Sequence, residues 1–320
     1  MIEFYRVIWA FSWKRQIALI ALSIALSLLA AAPLELQKDI INHVVEDTDA
    51  QVLLWLALGF MAVTALSAGL KLVIQFISAS LGEDTIREIR NRIYGRLVEF
   101  HGMGSDPSEP TAPGTGTAVT MISSEAEQIG VFAGDSITLP LLQLGTLLTV
   151  LVYIAAQSAI LGIIVAAVVI PQGLATFLTQ SRINALVRAR VAALREGTDR
   201  IARSDLQAIE QETEACFDRI YEARVGIFRV KLTTKFVMNL LNGAGMTAIL
   251  LIGGWYVIQG VTDVGTITVA MTGLARAVQP WRDLMMFYRR AGMVLVRYEV
   301  LRDTFPHTIP NRPAAAPKGA

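Results

Sequence analysis

Thiols and imidazoles are nearly missing from this sequence, which has one cysteine, Cys216, and three histidines, His43, His101 and His307. A single cysteine excludes an intrachain disulfide framework, and the histidines are too far apart for a zinc-binding spacing, so no metal ligands are assigned. Charge is also scarce. Asp, Glu, Lys and Arg make up 17% of the chain, against about 25% in globular proteins. The net charge of +1 provides neither a basic field for nucleic acid nor an acidic tail. Apolar residues take their place at 53% of the chain, with a mean hydropathy of +0.50. The composition is that of a membrane protein, and nothing in it marks a catalytic or cofactor-binding residue on this chain.

A transmembrane helix needs about 20 mostly apolar residues, and six stretches of that kind are present. They run from Ile17 to about Leu36, Val52 to about Ser80, Gly130 to Ala156, Ala159 to Thr179, Phe236 to Gln259, and Val264 to about Gly292. Between the third and fourth, only Ala155-Ala156-Gln157-Ser158 is available to turn. Basic residues collect on the cytoplasmic side of such spans. Here 26 of the 28 lysines and arginines fall on one side, the exceptions being Lys38 in an acidic loop and Lys71 inside the second span. Both termini are therefore expected in the cytoplasm.

The basic segments keep a helical rhythm of apolar residues: Ile86, Ile89, Ile93, Leu97 and Phe100 after the second span, and Ile183, Val187, Leu194 and Ile201 after the fourth. The stripe resumes at Leu206, Ile209, Phe217, Ile220 and Ile227 before the fifth. This spacing predicts helices continuing about 30 Å into the cytoplasm. One tip lies at Gly102 to Gly116, broken by Pro107, Pro110 and Pro113, and the other at Ser204-Asp205-Leu206-Gln207, a capping-box start for a returning helix. Charges on these arms alternate in sign, which fits solvated faces and contact with membrane lipid rather than nucleic acid.

Residues 1–14, with Phe4, Tyr5, Trp9 and Phe11 ahead of Lys14-Arg15, read as an interfacial helix. A secretory signal ending at Ala30-Ala31-Ala32 is the competing reading, disfavoured because the apolar run is nearly membrane length. Residues 15–304 form the six-helix domain, and residues 305–320, rich in Ala and Pro, read as a disordered tail with no second domain following.

Three stretches resemble the membrane domain of type I ABC exporters. Pro113 through Glu125 looks like the family's entry to its third helix. Ile252-Gly253-Gly254-Trp255-Tyr256-Val257-Ile258-Gln259-Gly260 followed by Val264-Gly265-Thr266 is similar to its fifth-to-sixth turn, and Arg276-Ala277-Val278-Gln279-Pro280-Trp281-Arg282-Asp283-Leu284 to the middle of its sixth helix. The resemblance implies an all-α half-transporter with six spans and long cytoplasmic extensions. It further implies a homodimer or a pairing with a related half, in a bacterial inner (plasma) membrane. Two departures are visible. No Gly-Lys dipeptide occurs, so there is no Walker A loop, and the only Gly-Gly, Gly253-Gly254, sits at membrane depth. ATP and its hydrolysis are therefore expected on a separate ATPase subunit and not on this chain. The tip at Arg203 to Leu206 is also shorter than the family's second coupling region.

Position and chemistry then select residues. Arg276, twelve residues after Val264, lies about 18 Å down its helix, where charges usually face a cavity. Lys71, Gln75 and Gln143 are polar residues within spans and join it as cavity candidates; snorkelling is the alternative for Arg276 and the preferred reading of Lys71, as interhelical hydrogen bonding is of Gln75, Gln143 and Asn239. The resemblance makes Met103, Asp106 and Glu109, with Arg203, Ser204 and Asp205, the ATPase-coupling tips. Pro280 lacks the donor for the carbonyl of Arg276 and is the hinge candidate. The implied function is alternating-access export driven by the partner ATPase. The alternatives are an ion-driven permease of the same fold, for which Asp135 is the membrane carboxylate, and a non-transporting scaffold or regulator.

Overall fold

The computed structural model describes residues 2–46, 49–102, 119, 121–203 and 210–304. Among these every regular element is helical: α1 (Ile2–Leu29), α2 (Ala32–Val45), α3 (Ala50–Gly102), α4 (Ala126–Gln157), α5 (Ala159–Arg203), α6 (Glu210–Ala248), α7 (Gly254–Ile258), α8 (Val264–Arg276) and α9 (Val278–Thr304). Single π-helical turns at Met121–Glu125 and Ile249–Gly253 lead into α4 and α7. Five stretches are long and apolar enough to cross a bilayer: Ser12–Val45, Ala50–Gly95, Met121–Gln157, Ala159–Leu194 and Ala215–Ile258. The sixth apolar stretch is helical but divided at Ala277 into α8, of 13 residues, and α9, whose Arg282, Asp283, Arg289 and Arg290 make it more polar.

The first stretch is divided too. α1 ends at Leu29, and α2 resumes at Ala32 after a turn in which the Ala30 and Ala31 amides bond back to Ser27 and Leu28. Pro33 has no N–H to offer Leu29, so the helical ladder loses a bond at this point, next to the turn. α1 also leaves helical geometry at Ser12 (φ −138°, ψ 24°). α3, with 53 residues, is about 80 Å long at helical rise, against about 30 Å for a hydrocarbon core. Its apolar run is largely uncovered by this chain, with Trp55, Met61 and Phe76 exposed at 67%, 67% and 73%, as suits a helix solvated by lipid or by a partner helix. The tip residues Met103, Asp106, Glu109, Ser204 and Asp205 lie outside the described residues, as does the tail from residue 305, and α5 ends at Arg203.

The chain divides into two compact units, Met1–Ile40 with Asp47–Val150 and Met286–Ala320, and Ile41–Glu46 with Leu151–Met285. In the first unit α3 and α4 cross at glycines. A Cβ on Gly130 would stand 2.2 Å from Ile86 Cγ1, and one on Gly134 2.3 Å from the Ser78 carbonyl oxygen. This Gly-x-x-x-Gly spacing lets two backbones approach where apolar burial alone gives little drive. Beyond the crossing, Ile93, Met121, Ile129, Phe132, Ala133, Ala291, Val294, Tyr298 and Leu301 form a buried core, with Phe132 stacked on Phe287 at 5.4 Å.

In the second unit α5 and α6 run antiparallel. Thr179 and Thr234 share a hydrogen bond of 3.0 Å, and Gly245 packs against Val168 and Leu274. Asp263 caps α8 by accepting from the Thr266 amide at 2.6 Å, and the Gly265 amide donates to Asn42 Oδ1 at 2.8 Å. Gly260 takes φ +72° in the turn before α8, a conformation that suits a residue without Cβ.

Candidate functional site

Two polar groupings stand out, one in each unit. In the first, Asp135 on α4 accepts from Ser78 Oγ on α3 at 3.0 Å and pairs with Arg290 on α9 at 3.2 Å. Nearby, Arg297 on α9 pairs with Glu125 at 2.5 Å, and Arg90 Nε on α3 donates to the Ile122 carbonyl at 2.9 Å, both partners lying in the π turn that leads into α4. Each of these charges has a partner. Lys71 and Gln75 lie one turn apart on one face of α3, both exposed, and Ser78 continues that line. Gln143 on α4 is half-buried and has a bonding partner. The contacts Gly82–Gly130 and Ser78–Gly134 define an antiparallel register that brings Gln143 to about the level of Lys71.

The second grouping contains Arg276, the last residue of α8, which is exposed and has no hydrogen-bond or ion-pair partner among the described residues. The contact of Gly245 with Val168 and Leu274 fixes the levels of three helices. Gln172 on α5 and Asn242 on α6 each fall about one turn from it, in the same direction as Arg276. Gln172 is 2% exposed, yet neither polar atom of its side-chain amide has a partner among the described residues. Asn242 Oδ1 and Trp281 Nε1 are likewise buried and unpartnered. The Trp281 ring lies against Gly173, where a Cβ would come within 2.4 Å of Cζ2. Leaving such a group unsatisfied costs about 1–3 kcal/mol, so this level gains by admitting water or a polar ligand.

α8 stops at Arg276. The Ala277 amide is shared between the Gly273 and Leu274 carbonyls, at 3.0 and 3.3 Å, and α9 begins one residue later. Pro280 occupies the first turn of α9, where a missing donor is tolerated, and the carbonyl it cannot bond is that of Arg276. Sequence reasoning singles out Arg276 by its charge and Pro280 by its ring. It misses Gln172 and Asn242, whose only signal is an uncharged amide inside an apolar run.

The ABC transporter transmembrane region family matches residues 16–280 of the chain. No curated protein matches it by sequence. The matched segment takes in most of the first long apolar stretch, the other four through α7, and α8, and the chain belongs to the ABC transporter transmembrane region family.

Proposed function

We propose that the chain is the permease subunit of an ABC-type exporter, moving its substrate by alternating access driven by a separate ATPase chain. The observation that carries this reading is the reach of α3, α5 and α6 beyond their apolar runs, in a chain of this family. Such arms can transmit motion between a soluble engine and the membrane. The asymmetry of basic residues supports cytoplasmic arms and termini. A homodimer or a related half-transporter completes the pathway, in a bacterial inner membrane, and ATP binds the partner subunit. The coupling tips are Met103, Asp106 and Glu109 with Arg203, Ser204 and Asp205.

In this reading Arg276, with Gln172, Asn242 and Trp281, lines the pathway when the level between α5, α6 and α9 opens, and Pro280, one turn past Arg276, acts as the hinge. Lys71, Gln75 and Gln143 are the cavity candidates of the first unit. Engagement of Asp135 by both Ser78 and Arg290 supports a structural ion pair rather than a proton carrier, which favours ATP over an ion gradient as the driver. Affinity purification of the tagged chain from gentle detergent tests the proposal. An ATPase subunit should co-purify, with no ATP turnover by the isolated chain. Recovery of this chain alone, with transport abolished by an uncoupler and indifferent to ATP, would contradict it.

A further inference from the structure

Between α1 and α3 the first unit holds a cavity of about 250 Å³ lined by Ser12, Trp13, Lys14, Arg15, Leu81 and Asp84. The departure from helical geometry at Ser12 shapes one wall, and Gln16 Nε2 donates to Ser12 Oγ at 3.0 Å. Lys14 Nζ sits 5.7 Å from the centroid of the Trp13 ring and has no carboxylate partner among the described residues. Arg15 pairs with Asp84, their side chains 51% and 41% exposed. Two cations and one carboxylate leave the cavity with a net charge of about +1 at neutral pH.

Both helices change character at this level. The apolar run of α1 begins at Ile17, and that of α3 ends near Ser80, to be followed by Glu83, Asp84 and Arg87. The cavity therefore lies at the boundary between hydrocarbon and water, where lipid phosphates sit. Leu81 gives it an apolar floor and Trp13 an amphipathic wall.

We propose that this cavity binds the phosphate of an anionic lipid headgroup. Lys14 and Arg15 hold the phosphate, Trp13 packs beside the glycerol, and Asp84 competes with the lipid for Arg15. Because Asp84 already holds Arg15, removing the carboxylate should strengthen binding. The site is independent of how transport is driven.

The test uses the full chain, delipidated in detergent and offered equal phosphatidylglycerol and phosphatidylcholine, with bound lipid read by native mass spectrometry. The wild type should retain phosphatidylglycerol in preference. Lys14→Gln should cut that preference about fivefold, as expected for one basic charge near an anionic surface, and Asp84→Asn should raise it. Arg224→Gln, on α6, should leave it unchanged, and millimolar inorganic phosphate should not displace the lipid. Displacement by inorganic phosphate would reassign the site to the free anion and overturn the lipid assignment. An unchanged preference in Lys14→Gln, or an equal loss in Arg224→Gln, would overturn the site itself. Lys14 is exposed, so its variant keeps the test decisive even if Asp84→Asn disturbs folding.

Discussion

The α3–α4–α9 cluster of the first unit and the α5–α6–α9 level of the second use polar residues in opposite ways. In the first, Asp135, Glu125, Arg290 and Arg297 are matched acid to base, beside a helix crossing too tight for a Cβ. In the second, Gln172, Asn242 and Trp281 bury polar atoms without partners, and Arg276 has no acid to meet among the described residues. Satisfied networks hold one arrangement, whereas unsatisfied buried groups favour rearrangement. Thr138 Oγ1 on α4 is also buried without a partner among the described residues, so the contrast rests on the charged groups, and we infer rigidity for the ion-paired cluster and movement for the second.

The largest effect should come from breaking the rigid side. Gly134→Val places a branched side chain against the Ser78 carbonyl, and membrane abundance should fall to a small fraction of wild type by immunoblot. Gly243→Ala, with no atom within 4 Å of the added Cβ, should be close to neutral. If Gly134→Val accumulates normally, the glycine crossing does not hold the first unit together.

Arg276→Gln comes next. It should impair transport severely at near-normal abundance, while Arg276→Lys keeps the charge but loses the planar fork and should be partly active. Parallel assays of abundance and transport separate a pathway residue from a structural one, which would show as poor accumulation of Arg276→Gln.

The smallest effects should differ in sign. Gln172→Leu removes two unpartnered polar atoms and should raise thermal stability, by about 1–3 kcal/mol, while slowing transport. Ser78→Ala removes a hydrogen bond to a carboxylate and should lower stability by about 1.5–3 kcal/mol. Thermal melts of the purified variants in one detergent compare them directly.

Much of the fold is legible in the sequence because membrane crossing imposes length and apolarity together. The turn at Ser158, the start of α8 at Val264 and the helical continuation past Ser80 all follow from runs of residues whose character changes abruptly. The break between Leu29 and Ala32 is harder to read, because alanines are good helix formers and the effect of Pro33 falls on the preceding turn. The site is less legible still. Charge draws attention to Arg276, but the pairing of Asp135 with Arg290 joins residues 155 positions apart, and the isolation of Gln172 depends on what the neighbouring helices fail to provide.

Thiol labelling in native membranes tests most directly whether the second unit's polar level opens while the first unit's core stays shut. Gln172 and Ala133 are each 2% exposed, so burial alone predicts equal protection. In a Cys216→Ser background, Gln172→Cys should react with a small methanethiosulfonate at least about tenfold faster than Ala133→Cys, a difference of about 1.4 kcal/mol in the cost of opening. Equal, slow labelling of the two positions would contradict this division between a rigid cluster and a moving level.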